Sequence, residues 1–178
     1  MSKTLKINGD TAVPVSAIRK IKPITAEDRE RIAGRYDGID ASKFQIQIEF
    51  ADKSTKLAAE SLDDIKGQGV ALVNLGSDRY VPATNIKTAQ AFTKEDAEKA
   101  KGKDYTLNAT FRSRVETTAG AMLSTATPAQ VIERREKAIE TIAQSTKATG
   151  PIKTVADAEA AVVRVQKKSV GPKAPANE

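Results

Sequence analysis

Two arginines, Arg112 and Arg114, are the side chains whose spacing most clearly indicates a chemistry. They lie one residue apart in a segment that alternates like a β-strand. Alternate residues of a strand point to the same side, so both guanidinium groups face the same way, one pleat apart. Guanidinium groups at that spacing can contact successive phosphates of a nucleic-acid backbone. The pair is therefore a candidate phosphate-binding site.

Further cations and two tyrosines lie near this pair in the sequence. A cation can hold a phosphate, and a tyrosine ring offers a face on which an unpaired base stacks. The predicted nucleic-acid-binding residues are Arg79, Tyr80, Lys101, Lys103, Tyr105, Arg112 and Arg114. The alternative interpretation is a solvated charged surface that keeps a small domain soluble, because acidic residues interrupt most of the basic stretches.

Enzymatic chemistry has few candidate residues in this chain. With no Cys and no His, the sequence excludes disulfides, thiolate nucleophiles, Cys/His zinc sites and every catalytic triad that uses His. The glycines of Gly67-Gln68-Gly69 lead into a predicted strand, whereas a phosphate loop leads into a helix. Paired carboxylates such as Asp63-Asp64 lie in the first turn of a predicted helix, where the helix dipole favours them. We therefore expect a protein that is not an enzyme and that uses no metal or organic cofactor.

An internal repeat organises the elements that must position the arginine pair. Four blocks recur in the same order, at offsets that shrink from 68 to 66 positions: Val13–Arg19 with Val81–Lys87, Ile24–Asp28 with Phe92–Asp96, Phe44–Phe50 with Phe111–Thr117, and Ser61–Ile65 with Thr127–Val131. One-residue shortenings in loops account for the shrinking offset, and a chance match is the alternative. We interpret the blocks as two copies of one unit, over about residues 5–66 and 70–135.

Each copy is predicted to contain a strand, a strand, a short helix, a strand, a strand and a helical turn. Thr25 and Thr93 are expected to cap the short helices, with Asp28 and Asp96 in the first turn. The predicted fold is α+β, with a pseudo-twofold, β-rich core over residues 1–135. The two units are expected to bury the apolar sides of their sheets against each other, because a lone hairpin pair is unstable in water.

The C-terminal part of the chain changes to a helical period. A helix is predicted from Pro128 to about Gln144, and Gly150-Pro151 is expected to end it. A second helix is predicted from Thr154, so that the helical segment covers residues 128–168. The remaining residues, 169–178, have the Lys, Pro, Gly and Ala composition of a flexible tail.

Charge and hydropathy indicate where the protein acts. The formal net charge is +6, a mild excess that favours moderate, salt-dependent binding to an anionic partner. The N-terminal sequence MSKTLKINGD lacks the apolar segment of a secretory signal, and no apolar run is long enough to span a bilayer. We expect a soluble protein of the cytoplasm, or of the host cytoplasm if a phage encodes it, with no membrane partner.

One stretch resembles a known family in the order of its elements. Between Phe44 and Phe92 lie a hairpin with a polar turn, a helix start at Ser61-Leu62 and a strand from Arg79 to Ile86. This order resembles that of LytTR-type DNA-binding domains. The His-Arg-Ser stretch of that family has no counterpart here, because the chain contains no His. The resemblance implies DNA binding by analogy alone, and we do not assign the chain to the family.

These features favour a non-enzymatic nucleic-acid-binding accessory or regulatory protein of phage or mobile-element type. DNA is expected as the partner rather than RNA, with single-stranded DNA as one candidate, and a homo-oligomer would multiply the contacts. The alternative is a structural protein that assembles with itself or within a larger, virion-like complex. In either case the C-terminal helices are available for a protein partner.

Overall fold

The computed structural model of the protein describes residues 3–100 and 111–148. The first repeat contains strands β1 (Thr4–Ile7), β2 (Thr11–Pro14) and β3 (Ile18–Pro23), helix α1 (Ala26–Arg35), strands β4 (Ile46–Phe50) and β5 (Thr55–Ala58), and helix α2 (Leu62–Gly67). The second contains strands β6 (Leu72–Asn74), β7 (Tyr80–Pro82) and β8 (Ile86–Ala91), helix α3 (Lys94–Ala100), strands β9 (Ser113–Thr117) and β10 (Gly120–Ser124), and helix α4 (Pro128–Ala148). The predicted α+β class is confirmed.

The two repeats agree in an irregularity as well as in element order. The β3–β4 ladder shifts register between Ile18 and Lys20, and the β8–β9 ladder shifts between Ile86 and Thr88. The residues inside the two bulges, Arg19 and Lys87, are 68 positions apart, which is the offset of the sequence repeat. A β-bulge is a specific local feature, so its recurrence at the same place supports duplication over a chance match.

Each repeat has one strand more than the sequence analysis predicted before its first helix. Pro14 and Pro82 end β2 and β7, and a single 3₁₀ turn follows each of them. Proline has no N–H to donate to a ladder, so a strand readily ends there. The chain then turns and begins β3 or β8, where one continuous strand was expected.

The strands form three antiparallel sheets that divide the repeats unequally. Their orders are β1-β2, β5-β4-β3-β7-β6 and β10-β9-β8. The five-stranded sheet crosses the repeat boundary, because Ile21 of β3 pairs with Tyr80 of β7. The two copies are thus joined by a strand pair, which the sequence analysis did not predict.

Strand β6 lies between two apolar clusters. Val70 and Leu72 belong to a cluster formed mainly by the first repeat, whereas Ala71 and Val73 belong to a cluster formed by the second. Successive side chains of a strand point to opposite faces, so this short strand contributes to both cores. Ile18, Ile21 and Ile48 anchor the first cluster. The second includes Val81, Ile86, Val115 and Val131.

Helix α4 is fixed to the second repeat at its N-terminal end. Thr127 and Gln130 exchange side-chain to backbone hydrogen bonds at its first turn, and Val131 is fully buried. Arg134 and Arg135 donate to the carbonyl oxygens of Asn74 and Ala83, at 2.9 and 3.2 Å. The helix runs four residues beyond the predicted end at Gln144. The second predicted helix and the predicted tail lie outside the described residues.

None of the helices in the described part of the chain combines the length and the apolar character that crossing a bilayer requires.

Candidate nucleic-acid interface

Strand β9 places the arginine pair on one exposed face, as its sequence alternation predicted. Ser113 and Val115 are fully buried, whereas Arg112 and Arg114 are exposed. The apolar side of the strand packs into the second-repeat cluster. The burial of that side leaves both guanidinium groups directed towards solvent.

The cross-strand partners of β9 define the surface around the arginines. Gln90 of β8 and Leu123 of β10 lie opposite Arg114, and Thr88 lies opposite Glu116. We call the outward side of this sheet the second-repeat face; its members are Thr88, Gln90, Arg112, Arg114, Glu116 and Leu123. The side chain of Lys87, in the bulge of β8, is also exposed.

Carboxylates only partly neutralise this face. The Nε of Arg114 lies 2.9 Å from Oε1 of Glu116. Arg112 forms no ion pair with any described residue. The charges of Lys99 and Arg114 contribute to a lowered pKa of Asp96, after the larger effect of its hydrogen bonds with Thr93. Arg112 is therefore the cation best placed to accept an external anion.

The equivalent face of the first repeat carries its cations in a different arrangement. In the β3–β4 ladder, Lys22 lies opposite Gln47, whereas in the β8–β9 ladder Gln90 lies opposite Arg114. The cation has therefore changed strands between the two copies. Gln45 likewise occupies the position of Arg112. Strand β4 contains no cation, whereas its counterpart β9 contains Arg114, and both strands keep a glutamate at the equivalent position, Glu49 and Glu116.

The three cations of strand β3 are engaged within the fold. Arg19 and Lys20 both reach the carboxylate of Glu49, at 3.0 and 2.6 Å. Lys22 donates to Asp28 at 3.0 Å, and this hydrogen bond is the largest cause of the lowered pKa of Asp28. Each positive side chain on the outer face of β3 thus already has an anionic partner, which leaves this face less suited to phosphate.

Arg79 occupies a half-buried position in the second repeat. Its guanidinium carbon lies 5.2 Å from the centre of the Phe111 ring, and its Nε donates to the carbonyl of Gly76 at 3.2 Å. Burial lowers the pKa of this guanidinium. Its Nη2 is buried and has no hydrogen-bond partner in the described part of the chain. These contacts indicate a packing role.

Tyr80 also faces the interior rather than the second-repeat face. It lies in β7, pairs with Ile21 and packs against the first-repeat cluster. A base needs an open ring face on which to stack, and the core occupies part of this ring. Tyr80 belongs to a different sheet from the arginine pair, since β7 and β9 lie in the five-stranded and three-stranded sheets.

Lys101, Lys103 and Tyr105 lie outside the described residues. Two exposed residues are absent from the predicted set of nucleic-acid-binding residues. Lys87 adds an exposed cation at the bulge of the same sheet, next to the Thr88–Glu116 pair, and its place in the repeat, equivalent to Arg19, was the available signal. Tyr36 follows Arg35 at the end of α1 and is 49% exposed. Within the described part of the chain it is the only aromatic side chain in the exposed class.

A metal centre in a protein needs several His, Cys, Asp or Glu side chains close together. The described residues contain no group of three or more that could hold an ion.

Comparison with known proteins gives no further guide to this surface. No protein family, no curated protein and no solved structure matches the chain.

Proposed function

We propose that the protein binds nucleic acid through phosphate contacts on the second-repeat face. The observation that carries this proposal is the contrast between equivalent strands. Arg112 and Arg114 stand where the first repeat has Gln45 and Gln47, on strands with the same register and the same inward burial. The outward face of the first repeat has its own cations on β3, but Glu49 and Asp28 pair with them. Arg112 has no ion pair with a described residue, so its charge is available to a bound anion.

The contacts expected from these side chains are to the backbone of the nucleic acid. Arg112 can bind a phosphate without breaking an ion pair with any described residue. Arg114 is paired with Glu116, so it either binds a phosphate and Glu116 together or gives up the ion pair with Glu116 to bind the phosphate. Arginine binds phosphate with two parallel N–H donors, which fixes the direction of the backbone along the strand. Such contacts position a nucleic acid but carry no base information. Binding should therefore be insensitive to sequence.

Base stacking contributes little from the described part of this face. Tyr80 packs into the core, and the outward neighbours of the arginines are Thr88, Gln90 and Leu123. Affinity should therefore come mainly from released counterions and fall steeply with salt. We propose DNA as the partner. The titration described next compares single-stranded with duplex DNA and so measures the preference between them.

The test uses a substitution that copies the first repeat. In Arg112→Gln/Arg114→Gln both positions carry glutamine, the residue type that the first repeat has at the equivalent positions, Gln45 and Gln47. We expect affinity for single-stranded and duplex DNA of one length to fall by about tenfold or more. The slope of log K against log salt should shrink by roughly 1.4 to 1.8, the value for two lost phosphate contacts. Fluorescence anisotropy over a salt series measures both quantities.

The matched control removes the same charge elsewhere. Lys6 and Lys56 are exposed lysines of the first repeat, and neither side chain forms an ion pair with a described residue. Lys6→Ala/Lys56→Ala should change affinity and salt slope far less than the arginine variant. Equal effects of the two variants would show that net charge, rather than this face, determines binding. An unchanged affinity in the arginine variant would refute the site.

A further inference from the structure

The turn between β1 and β2 contains the only Asn-Gly dipeptide of the chain, Asn8-Gly9. Both residues are exposed and have a positive φ, 51° for Asn8 and 82° for Gly9. Asparagine is one of the few residues with a side chain that adopts this backbone conformation at low cost. The pair is also chemically vulnerable, because glycine has no Cβ to hinder attack by its own backbone nitrogen on the neighbouring side-chain amide.

The side-chain amide of Asn8 is held by two backbone groups at the end of β5. Its Nδ2 donates to the carbonyl of Leu57 at 2.8 Å, and its Oδ1 accepts the N–H of Ala59 at 3.0 Å. The carbonyl of Ala58 accepts from Gln45, which leads into β4, so Leu57 and Ala59 present their groups on the other side of the strand. The amide of Asn8 thus bonds to β5 as the backbone of a neighbouring strand would.

Only an amide satisfies both of these backbone groups. Leu57 offers an acceptor and Ala59 a donor, and an amide supplies the matching donor and acceptor. A carboxylate is acceptor-only, so its oxygen at the position of Nδ2 would face the carbonyl of Leu57 with no hydrogen between them. It would also lie close to a second carboxylate, because Oε1 of Glu60 accepts the backbone N–H of Asn8 at 2.7 Å. Oε2 of Glu60 is buried and has no hydrogen-bond partner among the described residues, which makes a second negative charge there costly.

We propose that Asn8 is a deamidation site that the docked hairpin protects, and that its conversion to aspartate breaks the link to β5 irreversibly. In the reaction, the backbone nitrogen of Gly9 forms a bond to Cγ of Asn8, and the Cγ–Nδ2 bond breaks. Ammonia leaves with the amide proton of Gly9, and the product is a five-membered imide. Water then opens the imide to aspartate or isoaspartate, so no oxidant or reductant takes part.

The docked conformation opposes the first step of this reaction. Both ends of the Asn8 amide are tied to β5, so Cγ turns towards the nitrogen of Gly9 only when these hydrogen bonds break. Gln68 adds an anchor beside the turn, since its side chain exchanges hydrogen bonds with the backbone of Lys6. Deamidation therefore proceeds from a local opening of the turn, and its rate reports the population of that open state.

Deamidation has a structural consequence because the hairpin belongs to the first-repeat core. Leu5 and Ile7 of β1 are fully buried, and Val13 of β2 is buried as well. A carboxylate at the tip of the hairpin replaces a hydrogen bond by repulsion and so weakens the docking of these side chains. The modified molecules accumulate with time, because the ammonia has left. This inference goes beyond the proposed function and does not depend on it.

The first test is peptide mapping of the full chain after incubation in mildly alkaline buffer, with and without guanidinium chloride. Trypsin releases Asn8 within the peptide of residues 7–19, whose mass rises when –NH2 is replaced by –OH. We expect deamidation of Asn8 to be at least about tenfold slower in native protein than in denaturant. Equal rates in the two conditions would overturn the proposal, as would the absence of reaction at Asn8 in denaturant.

A pair of variants connects this protection to the contacts of the turn. Glu60→Ala removes the acceptor of the Asn8 N–H, so the turn should open more often and native deamidation should speed several-fold. Glu27→Ala is the matched control, because this exposed glutamate lies in α1, and it should leave the rate unchanged. Equal rates in the two variants would contradict the assignment of the protection to these contacts.

The second test measures the consequence of the modification through melting temperatures at neutral pH. Asn8→Asp carries the product, whereas Asn8→Gly removes the same side-chain hydrogen bonds without adding a charge and tolerates the positive φ. We expect Asn8→Asp to melt below Asn8→Gly, and Asn8→Asp to lower the melting temperature less in a Glu60→Gln background. An Asn8→Asp variant that melts at the wild-type temperature would overturn the proposed link. If Asn8→Asp fails to fold, the peptide mapping of wild-type protein still decides the proposal.

Discussion

Gly76 has a backbone conformation and a neighbour that both require glycine. Its φ is +99°, and an added Cβ would lie 2.0 Å from Oγ1 of Thr125. Thr125 in turn donates its backbone N–H to Leu75, so it is held in place. Gly76→Ala should therefore lower the free energy of unfolding by about 2 kcal/mol or more, from strain and from the clash. Urea unfolding followed by circular dichroism measures the change.

Gly34 provides the control for that substitution. It lies inside α1, and no heavy atom stands within 4 Å of its added Cβ. Gly34→Ala should stabilise the protein by roughly 0.5–1 kcal/mol, because alanine favours a helix over glycine. If both variants destabilised equally, the close approach at Gly76 would not explain its effect.

Sequence alone predicted the exposure of Arg112 and Arg114 but not the burial of Tyr80. The alternation from Phe111 to Thr117 is local and therefore readable, since every second residue is apolar or small. The environment of Tyr80 depends on β7 pairing with Ile21, a residue far away in the chain. A long-range pairing choice leaves no local pattern, so a half-buried tyrosine and an exposed one look the same in the sequence.

At the level of helices, a repeated cap makes the fold sensitive to acid. Three helix starts exchange hydrogen bonds between a hydroxyl residue and an aspartate three positions later: Thr25 with Asp28, Ser61 with Asp64, and Thr93 with Asp96. These bonds, with Lys22 as the largest contributor at Asp28, lower the pKa of each aspartate. Each carboxylate accepts hydrogen bonds in the folded state that its protonated form accepts poorly.

We predict a loss of stability in acid from these caps. A pKa that folding lowers contributes stability above the unfolded value of about 3.9, and this contribution is lost as pH falls through the folded value. The melting temperature should therefore begin to fall near pH 4 and continue to fall below it. In Asp28→Asn/Asp64→Asn/Asp96→Asn this part of the pH dependence should be reduced. A profile identical to wild type would contradict the assignment.

Helix α4 supplies an internal reference when the helix caps are titrated with acid and followed by NMR. Its cap uses Thr127 with Gln130, and an amide does not titrate in this range. The backbone amide signal of Gln130 should therefore move less on acidification than those of Asp28, Asp64 and Asp96. The helix caps could be predicted from the sequence, because each depends on residues three positions apart. The 3₁₀ turns after Pro14 and Pro82 were not predicted.

For the whole molecule, a buried amide ties the two repeats together. The Nδ2 of Asn85 donates to the carbonyls of Val15 and Ile18, at 2.8 and 2.9 Å, and its side chain is almost fully buried. The first repeat has Ala17 at the equivalent position, so the link exists in one direction only. The pseudo-twofold arrangement is thus joined by an asymmetric polar contact as well as by β3–β7.

Asn85→Ala should be among the most destabilising substitutions on the surface between the repeats. It removes both buried hydrogen bonds of Asn85, and among the described residues only the carbonyl of Val15 keeps a backbone donor, the N–H of Ile18, so the cost in the free energy of unfolding should be about 2 kcal/mol. Thr118→Val is the control, since it removes an exposed hydrogen bond to Ser16 and should cost about 1 kcal/mol. Chemical denaturation measures both, and a cost for Asn85→Ala no larger than that of the control would contradict this account of the junction.

The duplication was readable from sequence, but the way in which its copies differ was not. Matching blocks give the order of elements, whereas the pairing of β3 with β7 and the pairing of Lys22 with Asp28 arise from three-dimensional contacts. The sequence likewise gives the total charge but not the partners of the charged side chains. A formal charge of +6 says how much cationic excess there is, and only the structure shows that the cations of β3 are paired while Arg112 has no ion pair with a described residue.

The most direct test of the proposed interface is a titration of isotope-labelled protein with a short DNA oligonucleotide, followed by amide chemical shifts. The account predicts that the largest changes fall on Arg112–Glu116 and on Thr88–Ala91, with little change on Gln45–Glu49 of the first repeat. Shifts concentrated on Gln45–Glu49, or no shifts at low salt, would contradict the claim that the second-repeat face binds nucleic acid.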